Sequence, residues 1–148
     1  RSRVVAGYMP IRSEIDVRPA MTALHAAGAR IAVPVIVAKG APLAFHEWTP
    51  EARMVEGPFG AQVPEDGAAL VPDTLIVPLV AFDADLNRLG YGGGFYDRSL
   101  AALRAGGRRV RAIGFAYAAQ RMEALTPGAF DMPLDAVVTE AGTWSTPA

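Results

Sequence analysis

The chain has 148 residues, of which 51% are hydrophobic and 20% charged, enough to bury one sizeable core over about the length of one domain. Its formal charge of -1 and its scattered basic residues offer no face to a polyanion, so nucleic acid is not expected as a partner. The absence of cysteine excludes disulfides, zinc–thiolate sites and a thiol nucleophile, and no run approaches the roughly 20 apolar residues that span a bilayer, so a cytoplasmic protein without a membrane partner is expected.

Arg3 to Tyr8 (RVVAGY) is a short apolar run closed by Pro10, as for a buried strand leading into a loop. A helix should follow: Asp16 is placed to cap it, Pro19 suits its first turn, Met21, Leu24 and Ala27 keep helical spacing, and Gly28 stops it. Ile31 to Val37 reads as a second buried strand, and strand, helix and strand in succession predict a crossover unit and a parallel sheet. Leu43 to Trp48 alternates weakly, as another strand. Residues 50–72, rich in Gly, Pro and acids, are expected to be irregular chain with some short strand inside it. Thr74 to Val80 (TLIVPLV) is the clearest central strand, followed by a polar, glycine-rich loop from Asp83 to Gly94. Helical spacing returns from Phe95 to Ala105 through Tyr96, Leu100 and Leu103, and Gly106 and Gly107 end it. Val110 to Phe115 is the next strand, Ala119 to Leu125 a short helix, and Asp135 to Thr139 (DAVVT) a final strand. With no internal repeat, the pattern predicts a three-layer α/β/α single domain with a mainly parallel sheet.

Chemistry is expected where strand, glycine loop and helix meet, between Leu75 and Leu103. In an open parallel sheet, ligands bind beyond the carboxyl ends of the strands, where free amides at a helix start attract anions. Gly90, Gly92, Gly93 and Gly94 sit at that junction, and glycines let several amides point at one anion. The common nucleotide fingerprints do not fit: a third glycine is needed where Phe95 stands, and there is no GxxxxGK[ST] run. Alone, such a loop is as readily a flexible turn as a phosphate site. Arg88 before the glycines and Asp97 in the first helical turn shift the balance, because cation, amides and carboxylate together describe a metal–nucleotide site. Lys39 is the only lysine, so phosphate contacts must come mainly from arginines or amides.

Val77 to Leu100, VPLVAFDADLNRLGYGGGFYDRSL, resembles the signature of the 5-formyltetrahydrofolate cyclo-ligase (methenyltetrahydrofolate synthetase) family. The similarity extends to YMPIRSEID from Tyr8, GARIAVPV from Gly28, IGFAYAAQ from Ile113 and FDMPLDAVVTE from Phe130, and so covers most of the chain in order. It implies that Arg88, Leu89, Gly90, Tyr91, Gly92, Gly93, Gly94, Phe95 and Tyr96 cradle the ATP phosphates, with Arg88 and Tyr91 nearest the chemistry. Many members have lysine at the position of Gly93 and tyrosine at that of Phe95, so here Arg88 and the amides carry more of the phosphate charge. Asp97 and Asp131 match the family's Mg2+ ligands, and Met9, Glu14 and Tyr91 match positions lining the folate site. Phe45, Trp48 and Tyr117 are candidates for a pterin face or for core packing, and Gln120 for a polar contact or a helix surface.

The resemblance implies an enzyme that uses ATP and Mg2+ to convert 5-formyltetrahydrofolate to 5,10-methenyltetrahydrofolate, releasing ADP and phosphate. Members usually begin with a further helical segment that brings basic residues to the nucleotide, whereas this chain starts almost directly at its first strand. The expectation is one cyclo-ligase-like domain over residues 1–148 without that segment. The alternative is a non-catalytic cyclo-ligase-like module that binds a ligand or partner.

Overall fold

In the computed structural model, the described residues are 3–10, 15–57, 62–90, 94–123, 125 and 133–145. In chain order they form β1 (Val4–Ala6), α1 (Arg18–Ala26), β2 (Arg30–Val35), β3 (Ala44–Trp48), β4 (Met54–Glu56), β5 (Gln62–Pro64), β6 (Thr74–Val77), β7 (Ala81–Phe82), β8 (Arg88–Leu89), α2 (Phe95–Arg104), β9 (Arg111–Phe115), β10 (Ala136–Thr139) and β11 (Gly142–Ser145). The main sheet has seven strands in the order β11-β10-β9-β6-β1-β2-β3. Its five central strands are parallel, and β3 and β11 close the two edges antiparallel.

The alternation of side chains places a helix on each face. Val5, Ile31, Val33 and Ile76 pack on one face with Val17, Met21 and Trp48, under α1. Ala6, Ala32, Leu75 and Val77 pack on the other with Phe82, Leu86 and Leu100, under α2. All four residues of β6 are buried, as a central strand covered on both faces requires. The predicted three-layer, mainly parallel architecture is present. No helix among the described residues is long and apolar enough to cross a membrane.

The chain leaves β1 for β2 on one side and returns to β6 on the other, so its direction of winding reverses between β1 and β6. Crossovers diverging from neighbouring strands open a crevice at their carboxyl ends, the usual ligand site of such sheets.

Several elements differ from expectation for identifiable reasons. The first strand ends at Ala6, and Tyr8 turns away so that its hydroxyl donates to the Ile15 carbonyl at 2.8 Å. Val17, not Asp16, is the N-cap of α1. Asp16 instead accepts from the Arg18 amide at 3.0 Å and from its guanidinium at 2.9 and 3.0 Å. Gly28 ends α1 as predicted, with its amide and that of Ala29 bonding back to the His25 and Leu24 carbonyls. The short strand expected within residues 50–72 is present as the β4–β5 pair, whereas the first part of the loop expected from Asp83 is the turn and second strand of a hairpin, β7–β8, that starts at Ala81. The short helix predicted over 119–125 is one 3-10 turn at Ala118–Gln120, after which Arg121 bridges to Phe82. Strand β11 was not expected, because all four of its residues are exposed and carry no apolar alternation.

Candidate functional site

At the switch point β6 stops where Pro78 removes a ladder donor. The exit of β6 is held from the 3-10 turn that follows β9: Gln120 Nε2 donates to the Leu79 carbonyl at 2.9 Å and the Val80 carbonyl at 3.2 Å, while Gln120 Oε1 accepts from the Tyr117 amide at 2.7 Å. Gln120 is thus a clamp between two strand ends, which its helix-like spacing in the sequence concealed. Val80 then donates to the Leu89 carbonyl at 2.7 Å and starts the β7–β8 hairpin.

The turn of that hairpin is built on Asp83. Its Oδ1 accepts from the Asp85 and Asn87 amides, both at 3.0 Å, and its Oδ2 from the Leu125 amide at 2.9 Å and Asn87 Nδ2 at 3.2 Å. Burial works to raise the pKa of this carboxyl, but the hydrogen bonds from Leu125, Asn87 and Asp85 outweigh it and hold it below the usual range. Leu86, fully buried, completes the turn at a φ of 65°.

Arg88 follows at the start of β8. Its side chain is 6% exposed, its guanidinium carbon lies 5.6 Å from the Tyr96 ring centroid, and Nη2 stands 3.7 Å from Asp97 Oδ2. Among the described residues its Nε has no hydrogen-bond partner. Gly90 lies directly against this guanidinium, where a Cβ would meet Nη1 at 2.6 Å. Gly94 caps α2 at a φ of 69° and touches Arg98, whose guanidinium carbon is 5.2 Å from the Phe95 ring centroid. Among the described residues no side-chain hydrogen bond caps the start of α2, the end of a helix whose dipole favours an anion.

The structure therefore brings together Arg88, Leu89, Gly90, Gly94, Phe95, Tyr96 and Asp97 where β8 and α2 approach each other. Leu89 is half exposed beside them. Met9 follows β1 and packs against the α1-side core. Glu14, Tyr91, Gly92, Gly93 and Asp131 lie outside the described residues. Phe45 and Trp48 are core residues, leaving Tyr117, 45% exposed, as the aromatic candidate at the carboxyl edge. The described residues contain no cluster of three or more His, Asp or Glu side chains that could hold a metal alone.

A doubly wound α/β sheet whose central strand β6 leads through the β7–β8 hairpin into the glycine-capped α2 defines the class of α/β protein that carries its ligand site beyond the carboxyl ends of the strands. Residues 1–140 match the model of the 5-formyltetrahydrofolate cyclo-ligase family. The chain belongs to that family. It is 35% identical to the 5-formyltetrahydrofolate cyclo-ligase of Escherichia coli K12, over 97% of this chain and 81% of that protein. It is 31% identical to the Haemophilus influenzae enzyme of the same name, over 90% of this chain and 74% of that protein. The solution structure of Aquifex aeolicus 5,10-methenyltetrahydrofolate synthetase superposes with a TM-score of 0.77 at 32% identity, covering 97% of this chain and 72% of that one.

Proposed function

We propose that the chain performs the reaction of its family at the β1/β6 switch point, converting 5-formyltetrahydrofolate and ATP to 5,10-methenyltetrahydrofolate, ADP and phosphate. The observation that carries this reading is the junction of Arg88, the uncapped start of α2 and Asp97 on one short stretch of chain. A cation beside a helix N-terminus suits a polyphosphate. One carboxylate beside them suits Mg2+, which usually takes one or two carboxylates together with phosphate oxygens and water. Asp97 would hold it with Asp131, and the ion would supply neutralisation of phosphate charge.

The formyl oxygen attacks the γ-phosphorus and ADP leaves with the bridging electron pair. Folate N10 then attacks the activated formyl carbon, the carbon–oxygen bond breaks, phosphate carries that oxygen away and N10 loses its proton. This chemistry needs positioning and charge stabilisation more than a protein nucleophile. In this reading Arg88 and the start of α2 hold the transferring phosphoryl group, Tyr91 would contact both substrates, Met9 and Glu14 would hold the folate, and the exposed ring of Tyr117 offers a face to the pterin.

The test is to mix the protein with 5-formyltetrahydrofolate and magnesium-ATP and follow methenyl absorbance and ADP together. Stoichiometric appearance of both is expected. Ligand binding without product would instead favour the non-catalytic module.

A further inference from the structure

We propose that Asp83 is a positioning residue for ATP binding that acts through Arg88, an inference that rests on the phosphate role proposed for Arg88. Asp83 is 2% exposed, and among the described residues its hydrogen-bond donors are neutral amides, not cations. A turn alone does not require this arrangement, because an asparagine or serine side chain supplies the oxygen of such a turn. What only a carboxylate supplies is acceptor capacity on both oxygens. Oδ1 closes the turn on Asp85 and Asn87, and Oδ2 reaches across to the Leu125 amide, 42 residues away.

The second oxygen therefore ties the hairpin to a different part of the chain. Two further bonds make the same connection: Met122 donates to the Phe82 carbonyl at 2.7 Å and Leu134 to the Leu86 carbonyl at 2.9 Å. The 83–87 turn is thereby fixed from both sides, and Arg88 is the next residue. Among the described residues, few bonds hold the Arg88 side chain: its contacts there are the Tyr96 ring, the close backbone at Gly90 and Asp97 at 3.7 Å. Its backbone position on the hairpin consequently sets where the guanidinium stands, and a misplaced charged group loses phosphate affinity steeply.

Asp83→Asn separates the two tasks of the carboxylate. The amide oxygen can keep the turn, while the amide nitrogen turns a donor toward the Leu125 N–H and breaks the tie. Calorimetric titration of the variants with magnesium-ATP and, separately, with 5-formyltetrahydrofolate reads the effect. Asp83→Asn is expected to weaken ATP binding about tenfold, the scale of one charged hydrogen bond, and to leave folate affinity within about twofold. In an Arg88→Met background, Asp83→Asn should weaken ATP binding no further, because the group it positions is gone. Equal losses for both ligands, or an undiminished further loss in the Arg88→Met background, would reduce Asp83 to a structural residue and overturn the inference. An unchanged ATP affinity in Arg88→Met overturns the phosphate role of Arg88 itself. A weakened one there, with none in Asp83→Asn, overturns only the role of Asp83. Should Asp83→Asn not fold, Asn87→Ala removes one donor to the same carboxylate and leaves no unpaired buried charge. It should weaken ATP binding about two- to threefold, and this loss should likewise vanish beside Arg88→Met.

Discussion

At the start of α2, local geometry decides which cost of a substitution dominates. At Gly94 a Cβ would come within 2.7 Å of Arg98 Nη1, the far end of a flexible side chain that can move aside, so the φ of 69° is the larger obstacle. Gly94→Ala should therefore lower stability by about 1–2 kcal/mol, read as a drop in Tm, the scale of forcing an L-residue into the left-handed region. An unchanged Tm would mean that the helix start readjusts at no cost. Arg88 is constrained differently, by a plane rather than by a torsion. Its guanidinium lies over the Tyr96 ring, close to the Gly90 backbone and 3.7 Å from Asp97, and lysine has neither the plane nor the second nitrogen. Arg88→Lys should keep the charge yet raise the KM for ATP about tenfold, with the KM for folate little changed. Equal activity of the two proteins would show that a point charge suffices.

Among the elements, the parallel strands begin with a device used twice. Asp73 precedes β6 and accepts from the Val4 amide of β1 at 3.0 Å, and Asp135 precedes β10 and accepts from the Ala112 amide of β9 at 2.7 Å. Each carboxylate satisfies an amide at the start of the neighbouring strand and so helps set the register of the pair. Asp135 also meets Arg104 at 3.2 Å, but its side chain is 43% exposed, so solvent screens that pair and the amide bond should dominate. Asp135→Ala is accordingly expected to cost about 1–2 kcal/mol in urea unfolding, and Asp135→Asn, which keeps an acceptor, less than half as much. Equal costs for the two would point to the ion pair instead. Neither role was legible in the sequence, where Asp135 reads as the first residue of a strand. What was legible depended on local apolar pattern: β2, β6, α1 and α2 announce themselves by buried runs or helical spacing. The β7–β8 hairpin and β11 do not, since two-residue strands and exposed edges leave no periodicity to read. The same limit applied to the site. Arg88, Gly90, Gly94 and Asp97 are close in sequence and can be proposed from it as one cluster, whereas Asp83 and Gln120 act through partners about 40 residues away.

For the whole molecule, these long-range ties make acid stability a sensitive reporter. Asp16, Glu47 and Asp83 all have lowered pKa values, Asp16 and Glu47 chiefly through side-chain bonds from Arg18 and Arg30. A carboxyl whose pKa is lower folded than unfolded stabilises the fold above its unfolded value, near 4, and that contribution is lost as pH falls through the folded value. The three do not contribute equally. Arg18 and Asp16 are 56% and 46% exposed, and neighbours in sequence, so their pair is screened and survives partly in the unfolded chain. Asp83 is buried and bonds across 42 residues, so unfolding releases its bond to Leu125 altogether. Acid unfolding should therefore be governed more by Asp83 than by the surface pairs. At pH 7 Asp83→Asn should be less stable than the parent by about 1–3 kcal/mol in urea unfolding, the cost of buried donors left without an acceptor. The difference should shrink as pH falls below about 4, because the parent then loses what the variant already lacks. Parallel loss of stability in the two proteins between pH 7 and pH 3 would place the acid-sensitive group elsewhere and leave the surface pairs, weakened also by added salt, as the next candidates.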